Sequence, residues 1–422
     1  MLRRSFLTGL ILLSGVVDMP SYMHVGTISV NGVLTILVAA GVAAFIFRRP
    51  KLAWHGFVRV WPLSFLLLYS VAQCVLTRAS SQEIQNVCLL WIFVGLIVLT
   101  LVDGMGSPSN ATVERALLCA TAFASMCYAL IVLFVGFGPE GIGASSFIAA
   151  RSFALYALLG LGLLLGRWAG GSRISLWFAA ALILLVALSL SRTGLVAGML
   201  LFPLARLRSI SLRDLRRFAI VSGLAACLLF YFVINFPALR SRLLGDRSLE
   251  DYIAGDASID TSGRLAAWTI TLNSYSESPW LGKGPGSANN LIGETLYELD
   301  LDHPLNEYLR FLHDSGALGL AFLLIGCVQL LVLCRRAYRK SIERHPAIAY
   351  FHLGTFLALV AVLLSMITDN TASYLYVMAP LGILLGTTLR SLDGFETVAG
   401  GARQPSAVQP IPPTDFPMGA KA

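Results

Sequence analysis

Residues 116–137 read ALLCATAFASMCYALIVLFVGF, 22 positions without a charge. At a rise of about 1.5 Å per residue this run makes a helix about 33 Å long, and a bilayer's hydrocarbon core is about 30 Å thick. The run is not alone: 32–47, 174–190 and 218–236 are equally free of charge. Hydrophobic residues make up 56% of the chain and charged residues 13%, too little charge to cover the surface of a soluble protein of this size. A chain with many such blocks belongs in lipid, where each helix satisfies its own backbone.

Reading outward from these blocks gives spans near 5–17, 27–47, 58–76, 87–102, 115–137, 151–166, 174–190, 191–206, 218–235, 309–334, 349–367 and 372–390. The expected fold class is therefore an all-α polytopic membrane protein of about twelve transmembrane helices, with a large periplasmic loop between the ninth and tenth. The chain divides into N-terminal membrane helices (1–235), the loop (236–308), C-terminal membrane helices (309–390) and a proline-rich tail (391–422) read as disordered and cytoplasmic.

The net charge of +8 raises the question of nucleic acid. Its distribution answers it: Arg3 and Arg4; Arg48, Arg49 and Lys51; Arg167 and Arg173; Arg206, Arg208, Arg213, Arg216 and Arg217; and Arg335, Arg336, Arg339, Lys340 and Arg344 all sit in short connections on one side. This is the positive-inside pattern, which places both termini in the cytoplasm of a bacterial inner membrane and leaves no nucleic-acid site. The opening Arg3-Arg4-Ser5-Phe6-Leu7 resembles an export signal. No convincing small-residue cleavage site follows, so it reads as an uncleaved first helix. The seven cysteines, Cys74, Cys88, Cys119, Cys127, Cys227, Cys327 and Cys334, fall in or at the ends of predicted spans, which argues against a disulfide framework or a thiolate metal site.

The loop 236–308 is polar yet carries Leu265, Trp268, Tyr275, Trp280, Leu281, Leu291, Leu296 and Tyr297, enough to pack on the membrane domain. A helix is predicted to start near Arg264, capped by Thr261 or Ser262. The segment Ser278-Pro279-Trp280-Leu281-Gly282-Lys283-Gly284-Pro285-Gly286 is turn-rich and lacks the spacing of a nucleotide-binding P-loop. Its glycines allow backbone N–H groups to approach an anion; the alternative is a plain loop. Pro304 then opens a helix on which Glu307, Arg310 and Asp314 share one stripe, as a binding surface or as a self-paired solvated face.

Arginine is costly in a membrane and usually faces a cavity or a partner. On the predicted topology Arg151, Arg192, Arg264, Lys283 and Arg310 converge on the periplasmic face, where clustered cations suit a phosphate or pyrophosphate. Arg151 taken alone reads as a snorkelling anchor, and Asp369-Asn370-Thr371 joins the last two spans on the same side.

Three segments in this order resemble the O-antigen ligase and polymerase superfamily of bacterial surface-polysaccharide enzymes. They are Ser189-Leu190-Ser191-Arg192-Thr193-Gly194; Gly263-Arg264 with Trp268 followed by Pro279 to Gly286; and Asn306-Glu307-Tyr308-Leu309-Arg310 followed by Gly316-Ala317-Leu318-Gly319-Leu320. The resemblance implies a membrane-embedded glycosyltransferase that needs no metal or other cofactor. Its donor would be a glycan on undecaprenyl pyrophosphate, with Arg192 and Arg264 holding the pyrophosphate and Lys283, Asn306 and Arg310 in support. Ligases of the family place a histidine directly before the asparagine of the third segment. Here that position is Leu305, which points to a polymerase of oligosaccharide repeat units, of O-antigen or exopolysaccharide. His303 becomes the candidate base, with Glu307 in reserve and His313 an alternative one turn deeper. The expected partners are the lipid-linked glycan, membrane lipid and a chain-length-determining co-polymerase. The alternatives are a ligase that moves finished glycan to lipid A core or protein, a transporter or flippase, and a structural subunit of an export complex. An internal repeat would favour the transporter, and none is evident.

Overall fold

A computed structural model describes residues 2–19, 24–25, 28–77, 81–102, 107–135, 148–206, 263–297, 303–343 and 345–401, with isolated positions between 207 and 262. The predicted ninth span, 218–235, and the stretches 236–262 and 298–302 of the large loop lie outside the described residues.

The apolar runs become helices because only intrachain hydrogen bonds satisfy a backbone in lipid. In chain order they are α1 (Leu2–Ser14), α2 (Val30–Phe47), α3 (Pro50–Arg59), α4 (Trp61–Thr77), α5 (Ser81–Leu101), α6 (Asn110–Val135), α7 (Ala150–Ala169), α8 (Arg173–Leu188) and α9 (Arg192–Ala205). After the gap come α10 (Arg264–Tyr275), α11 (Ser287–Thr295), α12 (Glu307–Ile342), α13 (Pro346–Ser365) and α14 (Leu375–Gly401). A two-residue antiparallel ladder pairs His24–Val25 with Ile28–Ser29. The protein is thus an all-α polytopic membrane protein.

Among the described residues, seven helices are long and apolar enough to cross a membrane, and α3 with α4 makes an eighth candidate broken by a 107° bend. The sequence had suggested one span over 58–76. Instead the chain turns at Val60, and α3 carries exposed Leu52, Trp54 and Val58 beside Lys51 and Arg59, the composition of a helix lying in the interface. At 13 residues α1 is about 20 Å long, short of the hydrocarbon core. Helices α8 and α9, with 16 and 14 residues, are also short, and they meet at a tight turn in which Leu190 has φ 55°. The last helix runs on to Gly401, past the predicted boundary at 390.

Two close helix pairs hold the centre. A Cβ added at Gly166 on α7 would lie 2.5 Å from the Tyr350 carbonyl of α13, and one at Gly162 would lie 2.7 Å from the Ala358 nitrogen. Gly386 on α14 stands in the same relation to the Ile97 carbonyl of α5, at 2.5 Å. Gly162/Gly166 and Gly382/Gly386 are each four residues apart, the spacing by which small residues let membrane helices approach backbone to backbone. Leucine at Gly166 or Gly386 is therefore expected to lower the melting temperature in detergent by several degrees, since overpacking costs about 1–3 kcal/mol or more. Gly9→Leu, where nothing lies within 4 Å of the added carbon, should leave it unchanged.

Candidate active site at one end of the bundle

The end of α4, the starts of α7, α9 and α12, and the α13–α14 connection meet at one end of the bundle. The connection, Met366 to Tyr374, is the hub. Arg151 at the start of α7 donates to both carboxylate oxygens of Asp369, through Nε at 2.5 Å, and to Asn370 Oδ1 at 2.7 Å. Asn370 also accepts from the Tyr374 hydroxyl at 2.8 Å. Asp369 is 1% exposed, so its charge depends on Arg151. Thr193, next to Arg192, shares a 2.6 Å hydrogen bond with Thr368, and the Met366 carbonyl accepts from the Glu307 backbone N–H at 2.9 Å.

Glu307, fully buried, closes the hub. One of its oxygens accepts from Ala372 N–H at 3.0 Å, and the other pairs with Arg310 at 2.5 Å. The stripe expected on α12 is thus an ion pair, and it is enclosed rather than solvated. Removing one member of such a pair typically costs about 3–5 kcal/mol because the other charge is stranded.

Helix α12 is not continuous. At Gly316, φ is 66° and ψ is −174°, and the helix breaks there. A break exposes carbonyls and N–H groups that must find partners. The glycine-rich segment supplies them: Lys283 N–H donates to the His313 carbonyl at 3.1 Å, and Gly284 N–H to the Asp314 carbonyl at 2.8 Å. In return Ala317 N–H donates to the Pro279 carbonyl at 2.8 Å. From α4, Gln73 donates to the Leu281 carbonyl at 2.6 Å and the Asp314 carbonyl at 3.2 Å, and Tyr69 donates to the Leu281 carbonyl at 2.6 Å. The backbones meet so closely that a Cβ on Gly282 would lie 2.3 Å from the Asp314 carbonyl, and one on Gly316 2.3 Å from the Trp280 carbonyl.

The glycine-rich segment does present N–H groups to an anion, and the anion is Asp314. Its carboxylate accepts from Gly286 N–H and Ala288 N–H, each at 2.8 Å, and from the Ser287 hydroxyl at 3.1 Å, at the start of α11 where the helix dipole favours negative charge. Beside it the His313 ring shares hydrogen bonds with Ser287 at 3.1 Å and Ser274 at 3.0 Å. Lys283 Nζ donates to Ser274 at 2.7 Å and to Glu277 at 2.6 Å, and holds the exposed Glu277 carboxyl below its ordinary range.

Of the remaining predicted residues, Arg264, His303 and Asn306 lie where α10 meets the start of α12, and Arg192 opens α9. Trp268 donates to the Pro304 carbonyl at 2.8 Å, which ties the helix opened by Arg264 to the segment from His303 to Asn306. Leu305 is buried with φ 52°, and Asn306 caps α12 by accepting from Leu309 N–H at 3.1 Å. His303, Arg264 and Arg192 are each half-buried. Thr193 thus bonds to the α13–α14 connection at Thr368, the same connection holds Glu307 through Met366, and Pro304 holds Trp268.

Sequence reasoning passed over Gln73, Ser274, Ser287 and Asp18. Asp18 is buried at the same end and accepts from Ala149 N–H at 3.2 Å, and burial raises its carboxyl above the usual range. A lone carboxylate directly after the first apolar run was the available signal. Gly316→Ala and Gly282→Ala should each release the 279–286 segment, seen as new protease cleavage there. Gly293→Ala, in open space, should not produce it.

A comparison with curated proteins found no match to this chain. A family model described as O-antigen ligase matches residues 176–324. That interval runs from the first turn of α8 past the break in α12, and it holds Arg192, Arg264, Lys283, His303, Asn306, Glu307, Arg310, His313 and Asp314. By this match residues 176–324, with helical membrane architecture around them, are similar to the O-antigen ligase family.

Proposed function

We propose that the protein is a membrane-embedded glycosyltransferase that polymerises oligosaccharide repeat units carried on undecaprenyl pyrophosphate, at the periplasmic face of the bacterial inner membrane. One observation carries the reading: Arg192 and Arg264 are each the first residue of a helix, α9 and α10; Thr193 of α9 bonds to the α13–α14 connection, which also holds Glu307, and Trp268 of α10 bonds to Pro304. A helix N-terminus adds unsatisfied N–H groups and a positive dipole end to the guanidinium, a combination suited to a pyrophosphate.

In this reading Arg192 and Arg264 hold the donor's pyrophosphate and stabilise the charge that develops on it. An acceptor sugar hydroxyl attacks the anomeric carbon from the opposite side. The new glycosidic C–O bond forms as the bond to pyrophosphate breaks, and the electron pair leaves with undecaprenyl pyrophosphate. The hydroxyl proton passes to His303, whose imidazole type accepts protons near neutral pH. The anomeric carbon is inverted.

Lys283 and Arg310 are assigned positioning roles, because Glu277 and Glu307 already neutralise them. Asn306 serves as the cap that fixes where α12 begins. Glu307 is not the base in this assignment: both its oxygens are engaged and it is sealed from solvent. A co-polymerase that sets chain length fits a polymerase of this kind.

A ligase is the second reading, favoured by the description of the matching family. Against it, Leu305 is buried at the position where the family's ligases carry a histidine. Glycan analysis of a deletion strain complemented with wild type, Arg264→Ala or His303→Ala separates the readings. Polymerase activity is expected to show as single repeat units persisting while long chains vanish in the variants. Long chains accumulating on undecaprenyl pyrophosphate would make the protein a ligase. Unchanged glycans in every strain would remove the glycosyltransferase reading.

A further inference from the structure

We propose that a groove between α6, α7 and α8 binds an anionic phospholipid, on the side of the membrane opposite the candidate active site. The groove has a volume of about 550 Å³ and is lined mainly by Leu118, Ala122, Leu164, Phe178, Leu182 and Leu185. That volume lies within the ~300–1,000 Å³ of ordinary ligand pockets. Along α8 it runs from Ile174 to Leu185, about 17 Å at helical rise, roughly one leaflet of the hydrocarbon core.

Beyond Leu118, α6 offers mostly small side chains to this face, Cys119, Thr121, Ala122 and Ser125, while Phe178 stands out from α8 at 62% exposure. It opens sideways between α6 and α8, whose apolar Phe123, Met126, Ile174 and Trp177 are exposed, so the bilayer is what covers it. Its two ends differ. One is apolar. At the other stand Arg167, which closes α7, and the hydroxyls of Ser172 and Ser175, 2.9 Å apart.

Arg167 is half exposed and reaches Glu114 at 3.7 Å, leaving much of its guanidinium open to the groove mouth. Arg115 lies three and four residues before the lining Leu118 and Cys119, hence on the same face of α6, and Arg173 opens α8 beside Ser172. Three arginines against one glutamate make the mouth cationic. An acyl chain in the groove would place its lipid phosphate there. The carrier-linked donor is not this occupant, since Arg192 and Arg264 stand at the far end of the bundle.

The test is native mass spectrometry of the full-length protein in detergent with equal amounts of phosphatidylglycerol and phosphatidylcholine added. Wild type is expected to retain phosphatidylglycerol several-fold over phosphatidylcholine. Arg167→Gln should lose that preference, and Ala122→Trp, which fills the groove, should lose retention of both. Equal retention of the two lipids by wild type overturns the proposal, as does phosphatidylglycerol retention unchanged by Ala122→Trp. A disulfide between Phe178→Cys and the native Cys227, formed in lipid-saturated micelles, would assign the groove to the chain's own 218–235 segment and overturn it too.

Discussion

A helix broken inside a membrane protein must hand its freed backbone groups to something other than water, and the break at Gly316 makes that demand on this chain. The segment 279–286 answers it, with Gln73 and Tyr69 of α4 as a clamp. Much of the candidate site follows. The nine residues before the break form a separate short helix that carries Glu307, Arg310, His313 and Asp314 to the end of the bundle. The docked segment delivers α11 so that its N-terminus faces Asp314, and it carries Lys283 to Ser274 and Glu277. Glycine at 282 and 316 is the condition for all of it, because any side chain would occupy the space of the opposing backbone.

Several charged groups at this end are held by partners of opposite charge or by backbone N–H groups. Arg151, Arg310 and Lys283 are committed to Asp369, Glu307 and Glu277, and Asp314 to the start of α11. These pairs fix where helices begin relative to one another. Arg151–Asp369 joins α7 to the α13–α14 connection, and Glu307 joins α12 to it through Ala372. Pairs with an enclosed carboxylate, Arg151–Asp369 and Arg310–Glu307, add little net stability but are costly to break, so they define one arrangement. Arg192 and Arg264 are each the first residue of a helix, where dipole and guanidinium reinforce each other towards an anion.

The sequence disclosed what depends on local pattern. Uncharged runs marked most membrane helices, the basic clusters marked one end of the bundle, and the i,i+3 spacing of Glu307 and Arg310 allowed the pair that is found. It hid what depends on distant partners. Gly316 in Ser315-Gly316-Ala317-Leu318 reads as an ordinary helix glycine, since the segment that demands the break lies about thirty positions earlier. The Pro279–Gly286 turn showed its capacity for an anion but not that Asp314 is the anion. Arg151 read as an anchor because Asp369 is 218 positions away. The bend at Val60 was hidden because Trp61 and Pro62 continue an apolar stretch without a gap.

The central claim is a division of labour among the cations, with Arg192 and Arg264 binding pyrophosphate and Lys283 and Arg310 shaping the site. It is tested most directly by measuring binding of undecaprenyl pyrophosphate to purified wild type and to Arg192→Ala, Arg264→Ala and Lys283→Ala. A hydrogen bond to a charged group contributes about 1.5–3 kcal/mol, so each arginine variant should bind about ten- to a hundredfold more weakly. Lys283→Ala, still folded, should bind within a few-fold of wild type. Loss of binding in Lys283→Ala with Arg192→Ala and Arg264→Ala unaffected would contradict the account.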